Sequence, residues 1–123
     1  VMRAGEILQV GPPEALYRAP ETAFVAQFLG GSNLITDPGV ATQLVGRRTA
    51  LDGNVLAVRP EHLKPVAEGG VVAQVRSRQF LGTYAEWWVD IDGQSLRAWI
   101  DPSVEPAETV HLTATQHRWV RET

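Results

Sequence analysis

Three histidines, His62, His111 and His117, are the side chains of this sequence best suited to hold a metal ion or move a proton. A zinc-type site needs several ligands converging, usually at short local spacing. Here one pair lies six residues apart and the third histidine is distant, so the spacing supplies no ligand set. His111 sits in a strand-like segment and reads as exposed to solvent. Serine, aspartate and glutamate occur without a G-x-S-x-G elbow to activate a nucleophile. The acids are dispersed, and nothing pairs two carboxylates for acid–base work. Gly30-Gly31-Ser32 lacks the lysine and the spacing of a G-x-x-x-x-G-K-S/T phosphate loop and reads instead as the end of a helix. With no cysteine there is neither a disulfide framework nor a thiolate site. The residues point to no catalytic, cofactor or metal site in this chain.

The four tryptophans say more. Trp87, Trp88 and Trp99 fall within Val71 to Ile100, which reads as a long strand, a break at Gly82 and a hairpin turned by Asp92-Gly93. Period-two alternation from Tyr84 to Ile91 sends Ala85, Trp87, Val89 and Ile91 to one face and Tyr84, Glu86, Trp88 and Asp90 to the other. Asp-Gly supplies the positive dihedrals of a two-residue turn. That turn sets Ile91 opposite Gln94, Val89 opposite Leu96, Trp87 opposite Ala98 and Ala85 opposite Ile100. Three of these four inner pairs are apolar on both sides, which a one-residue slip would destroy. On the outer face Trp88 meets Arg97 and Trp99 meets Glu86. A guanidinium over an exposed indole contributes on the order of 0.5–1 kcal/mol. Two outward indoles, with Tyr84 and Phe80 nearby, suit either a base-stacking platform or a protein-contact patch. The net charge of −3 and the absence of a basic run favour the protein contact and disfavour nucleic acid.

The rest of the chain must hold this hairpin in place. The 123 residues are 44% hydrophobic and 20% charged, enough for a real core and against wholesale disorder. No apolar run approaches the roughly 20 residues of a spanning helix. The opening residues read as the second half of a hairpin about Ala4-Gly5, as though a longer protein preceded them. Gly11-Pro12-Pro13 stops that strand, and Pro13 to Tyr17 suits a short helix with Glu14 in its first turn. Thr22 to Leu29 reads as a helix with Phe24, Phe28, Val25 and Leu29 on one stripe, closed by Gly30-Gly31. That stripe suits packing on its own domain and on a missing part of the protein equally well. Ser32 to Gly53 reads as a linker with one weak strand near Thr42 to Val45. Asn54 to Val58 reads as a strand stopped by Pro60. Glu68-Gly69-Gly70 turns into the central strand, where Val71, Ala73 and Val75 face inward. A last strand covers Thr109 to Thr115, with Arg118-Trp119-Val120 as an edge or cover. About five short strands between Asn54 and Val120 imply a mainly β fold, a small OB-like antiparallel barrel preceded by a short β/α connector.

The front of the chain resembles a known family. Met2, Gly5, Ile7, Gln9, Gly11, Pro13, Tyr17, Pro20, Phe24-Val25-Ala26, Phe28, Gly30 and Asn33 match M-x-x-G-x-I-x-Q-x-G-x-P-x-x-x-Y-x-x-P-x-x-x-F-V-A-x-F-x-G-x-x-N. That pattern is similar to the end of the ATPase domain in ATP-binding subunits of ABC importers. Val58-Arg59-Pro60-Glu61 resembles the V-R-P-E motif of their C-terminal TOBE domain, and Phe80-Leu81-Gly82 resembles that domain's central strand and glycine.

The resemblance implies that residues 1–31 end an ATP-binding domain and its connecting helix, and that 32–123 form a TOBE-type, OB-like regulatory domain. The ATPase motifs, with ATP and Mg²⁺, would then lie upstream, leaving this portion non-catalytic. A second copy of the subunit and the membrane permease would be partners, at the cytoplasmic face of the cell membrane. Related subunits serve ferric iron, polyamines, sulfate, thiamine, molybdate and sugars; the expectation here is ferric iron, polyamine or thiamine. Arg59, Pro60 and Glu61 are expected to form a charged anchor at the strand-to-loop turn. Tyr84, Trp88, Arg97 and Trp99, with Phe24 and Phe28, are the expected contact residues. The alternative of another class is a free-standing OB-like module for a small oxyanion or single-stranded nucleic acid.

Overall fold

The Asp92-Gly93 hairpin organises the larger of two main sheets. Both turn residues have positive φ, 49° and 81°, the conformation that matches the strands' own twist. In the computed structural model, which describes residues 2–3, 6–7, 19–47 and 51–122, strands β7 (Ala85–Ile91) and β8 (Gln94–Ile100) pair in the register read from the sequence. Preceding them in the chain are β1 (Met2–Arg3), β2 (Glu6–Ile7), α1 (Ala23–Gly30), β3 (Asn33–Ile35), α2 (Pro38–Val45), β4 (Asn54–Val58), a 3₁₀ turn (Pro60–His62), β5 (Leu63–Val66) and β6 (Val71–Phe80). Following them are β9 (Thr109–Ala114) and β10 (Arg118–Arg121).

One sheet has five strands, in the order β5-β9-β6-β7-β8, and the other has three, β10-β4-β3; every ladder is antiparallel. The expected mainly β, OB-like fold is present, but its strands form two sheets that do not close into a barrel. The reason lies partly in β6. It pairs β9 only from Val71 to Gln74, slips at a bulge between Val75 and Ser77, and continues beside β7 alone. A bulge bends a strand and raises its twist, and beyond this one Arg76 to Phe80 are all exposed. The inward row of Val71 and Ala73 is buried as expected, whereas Val75 is half-buried.

The main core lies between the sheets. Ile35, Leu56 and Val58 of the small sheet pack with Trp87, Val89, Leu96, Ile100 and Leu112 of the large one. Gly70 enters β6 with φ +62°, and a Cβ there would run into the Leu112 carbonyl oxygen. Glycine is required by the conformation and by the close approach of backbone.

Ser32 to Gly53 is not the linker with a weak strand that its composition suggested. Asn33–Ile35 is strand β3, and Pro38–Val45 is a helix. Asp37 caps that helix by accepting from Gly39 N at 2.8 Å and Val40 N at 3.1 Å, Pro38 opens it, and Gly46 closes it in the left-handed region. Val40, Ala41 and Leu44, spaced as a helix face requires, are buried in the main core.

Helix α1 begins at a Thr22 cap, whose hydroxyl accepts from Val25 N, and ends at Gly31 with φ 60°. Ala23 and Ala26 pack on Val55, Ala57 and Val120 of the small sheet. At least one face of α1 therefore rests on this domain, the first of the two placements its sequence allowed. Met2 pairs with Ile7 and Arg3 with Glu6, the ladder expected around Ala4-Gly5. The helix expected between Pro13 and Tyr17 lies outside the described residues.

Candidate functional site

The outer face of the β7–β8 hairpin gathers the expected contact residues, and two elements outside the hairpin fix it. Asn33, buried at the start of β3, reaches edge strand β8 twice: its side-chain NH₂ donates to Arg97 O at 2.8 Å, and its Oδ1 accepts from Arg97 N at 2.9 Å. One amide thus supplies both groups that a ladder partner would. Gln94, the single polar member of the inner pairs, donates from Nε2 to the Leu34 carbonyl. The two sheets are joined here by side chains where backbone pairing stops.

The Arg97 guanidinium sits where these elements meet. Nη2 donates to Gly31 O at 2.8 Å, Nη1 lies 3.5 Å from Glu86 Oε2, and the guanidinium carbon stands 5.7 Å from the Trp88 ring centre. Trp99 Nε1 donates to the same Glu86 oxygen at 2.9 Å, and Tyr84 lies against Trp99 with ring centres 4.6 Å apart. Gly31, Arg97, Glu86, Trp99 and Tyr84 form one connected line. Trp88 borders it with 41% of its surface exposed. A cleft of about 260 Å³ lies beside it, between the end of α1 and β8. The sequence placed Trp88 opposite Arg97 and Trp99 opposite Glu86 correctly. It did not show that Arg97 is also a strut to α1. Asn33 was visible only as a fixed position of a pattern; its bridging role has no local signal, because its partner is 64 residues away.

Phe24 is half-buried on α1, and the side chain of Phe28 lies outside the described residues. Pro60 is buried at the start of the 3₁₀ turn, with Arg59 before it in extended conformation. Glu61 Oε1 is buried without a hydrogen-bond partner among the described residues. His62 O accepts from Thr115 N at 2.8 Å, so this turn is tied to the corner between β9 and β10. Burial holds His62 below the usual histidine range. Arg59 and Lys64 add to that, and Glu61 opposes it. Burial lowers His117 too, with Arg47 contributing. His111 is not simply solvated: its Nδ1 lies 2.9 Å from the Gly69 carbonyl oxygen. Among the described residues no three acidic or histidine side chains cluster as a metal site would need. No described helix is long and apolar enough to cross a membrane.

Two small antiparallel sheets, with a prebuilt aromatic and charged face, define an OB-like β module. The chain belongs to the TOBE domain family, whose model matches residues 56–121. It is similar to ATP-binding proteins of ABC importers. The Fe(3+) ions import ATP-binding protein FbpC of Rhizobium etli is 36% identical over 121 residues, covering 85% of this chain and 34% of that protein. The spermidine/putrescine import ATP-binding protein PotA of Mycoplasma capricolum is 34% identical over 118 residues, 81% and 32% of the two chains. The sn-glycerol-3-phosphate import ATP-binding protein UgpC of Chromobacterium violaceum is 36% identical over 100 residues, 67% and 27%. The chain spans about a third or less of these relatives' length. The TOBE domain is a non-catalytic part of such proteins.

Proposed function

We infer that this chain is the regulatory and dimerisation domain of an importer's ATP-binding subunit, holding two such subunits together through the outer face of the β7–β8 hairpin. One observation supports this above the others. Trp88 leaves 41% of a large indole in water while Arg97, Glu86 and Trp99 beside it are already fixed by internal bonds. A partner therefore covers apolar area without first ordering the neighbouring side chains, which is a major cost of association. Tryptophan, tyrosine and arginine are the residues enriched where interfaces concentrate their binding energy. Tyr84, Trp88, Arg97 and Trp99 are the contact set, with Phe24 and Phe28 of α1 as further contact residues. A second copy presents the same patch, as a twofold contact requires.

In the whole protein the ATPase domain supplies ATP and Mg²⁺ binding, and the assembled transporter works with permease subunits at the cytoplasmic face of the membrane. The solute is ferric iron, a polyamine or thiamine, in keeping with the iron and polyamine importers among the relatives. Arg59 and Glu61 serve the domain by anchoring the turn around Pro60. Light scattering over a concentration series tests the dimer. Mass rising from monomer to twice that value is expected, and a monomer throughout would refute the contact.

A further inference from the structure

We propose that the outer end of β6, from Arg78 to Phe80, binds an extended peptide of another protein, which pairs with it as an added antiparallel strand. This edge lies apart from the outer face of the β7–β8 hairpin, and the peptide site does not depend on the dimer contact. Leu81 N donates to Tyr84 O at 2.8 Å, which makes these two a hydrogen-bonded pair at the end of the β6–β7 ladder. Backbone groups alternate along an antiparallel ladder. Gln79 and Ser77 therefore turn their N–H and C=O towards β7, and Phe80 and Arg78 turn theirs away. On that side β9 has already left. Its pairing with β6 ends at Gln74 and Thr109, with one further bond from Val75 N to Glu108 O at 2.9 Å. Pro106 has no N–H with which to continue the ladder, so the edge of β6 is left open.

The side chains suit this edge to a partner. Arg78 pairs with Trp87 and Phe80 with Ala85, and residues directly opposite share a face. The bulge thus brings Arg78 and Phe80 onto the side of the sheet where Trp87 is buried in the core. Phe80 nevertheless leaves 67% of its surface in water. A cavity of about 690 Å³ lies here, lined by Phe80, Ala85 and Trp87 on one side and by Pro102, Val104 and Pro106 on the other.

Space and charge define the occupant. The wall at Pro102 to Pro106 leaves room for one strand beside β6, and not for the sheet that the β6 of a second copy would bring with it. Arg76 is held by Asp90 at 2.6 Å, whereas Arg78 has no ion pair among the described residues. Of the two carboxylates lining the cavity, Asp101 accepts from Ser103 N and Oγ, and Glu108 stands at the bulge end beside Val75. An acidic peptide residue opposite Arg78 and an apolar one opposite Phe80 complete the cross-strand pairs. The added strand continues the line of β9, antiparallel to β6, so its apolar residue comes two positions before its acid. Backbone bonds then supply affinity, and the alternate side chains supply selectivity.

The probe is the peptide acetyl-Thr-Ile-Thr-Glu-Thr-amide, titrated into the isotope-labelled chain and followed by NMR. Saturable shifts of the Arg78 and Phe80 amides are expected, with slower hydrogen exchange at both. The same peptide with lysine in place of glutamate binds about fivefold or more weakly. Arg78→Glu reverses that preference, and because Arg78 is exposed the variant melts with the parent. N-methylation of the peptide's isoleucine and glutamate nitrogens, which face Phe80 and Arg78, abolishes binding. Absence of saturable shifts, equal affinity for the glutamate and lysine peptides, full binding of the N-methylated peptide, or shifts confined to β7 and β8 would each overturn the site.

Discussion

At the scale of single residues, the structure turns on polar side chains that replace missing backbone pairing. Asn33 closes two hydrogen bonds to Arg97 from a buried position. Asn33→Ala leaves a donor and an acceptor of β8 without partners, each costing about 1–3 kcal/mol when buried. We expect a loss of about 2–4 kcal/mol by urea unfolding, and a variant as stable as the parent would show that the bridge contributes nothing. The histidines give a pH signature of known sign. Both His62 and His117 bind a proton less readily when folded than their ordinary value allows. The unfolded chain then takes up more protons as the pH drops. The stability present above about pH 6.5 is lost as the pH falls through the lowered folded values. Melting in chloride should shift downward from about pH 7.5 to about pH 5, and replacing both rings by glutamine should lessen that shift.

At the scale of elements, legibility followed the strength of the local pattern. The β7–β8 hairpin was readable because Asp92-Gly93 and an eight-residue alternation, Tyr84 to Ile91, fix the same register independently. Helix α2 was not. Asp37-Pro38-Gly39 resembles a turn, and Gly39, Val40 and Thr42 are poor helix formers. Tertiary burial of Val40, Ala41 and Leu44 outweighs propensity, as is usual for short helices. The cap was nevertheless written in the sequence, as Asp before Pro at one end and Gly46 at the other. Asp37→Ala should cost about 0.5–2 kcal/mol, and Leu44→Ala about 2–5 kcal/mol. If equilibrium unfolding reversed that order, α2 would be held by its cap rather than by the core. The outward row of the hairpin was likewise legible. Its bonds to Gly31 and Asn33 were not, since no periodicity reports a contact across more than sixty residues.

At the scale of the whole molecule, the division of labour is between a buried inter-sheet core and an outer face left available for contact. Ile35, Leu56, Val89, Leu96 and Ile100 hold the sheets together, while Trp88 remains at the surface. The expected β content was recoverable from strand-length runs and turn residues. The open two-sheet arrangement was not, because it depends on the β6 bulge, whose extra residue, Arg76, has no distinguishing sequence mark. The proposed contact role of the face separates stability from association. Trp88 is exposed and should be replaceable without loss of fold, whereas its loss from a buried interface centre typically costs 2 kcal/mol or more, roughly thirtyfold in affinity. The most direct measurement is sedimentation equilibrium of the parent chain and Trp88→Ala, with thermal melts to confirm that both are folded. We expect the parent to dimerise and the variant to do so at least about thirtyfold more weakly. Equal dimerisation by the two, or a parent that stays monomeric at every concentration, would contradict the assignment of this face.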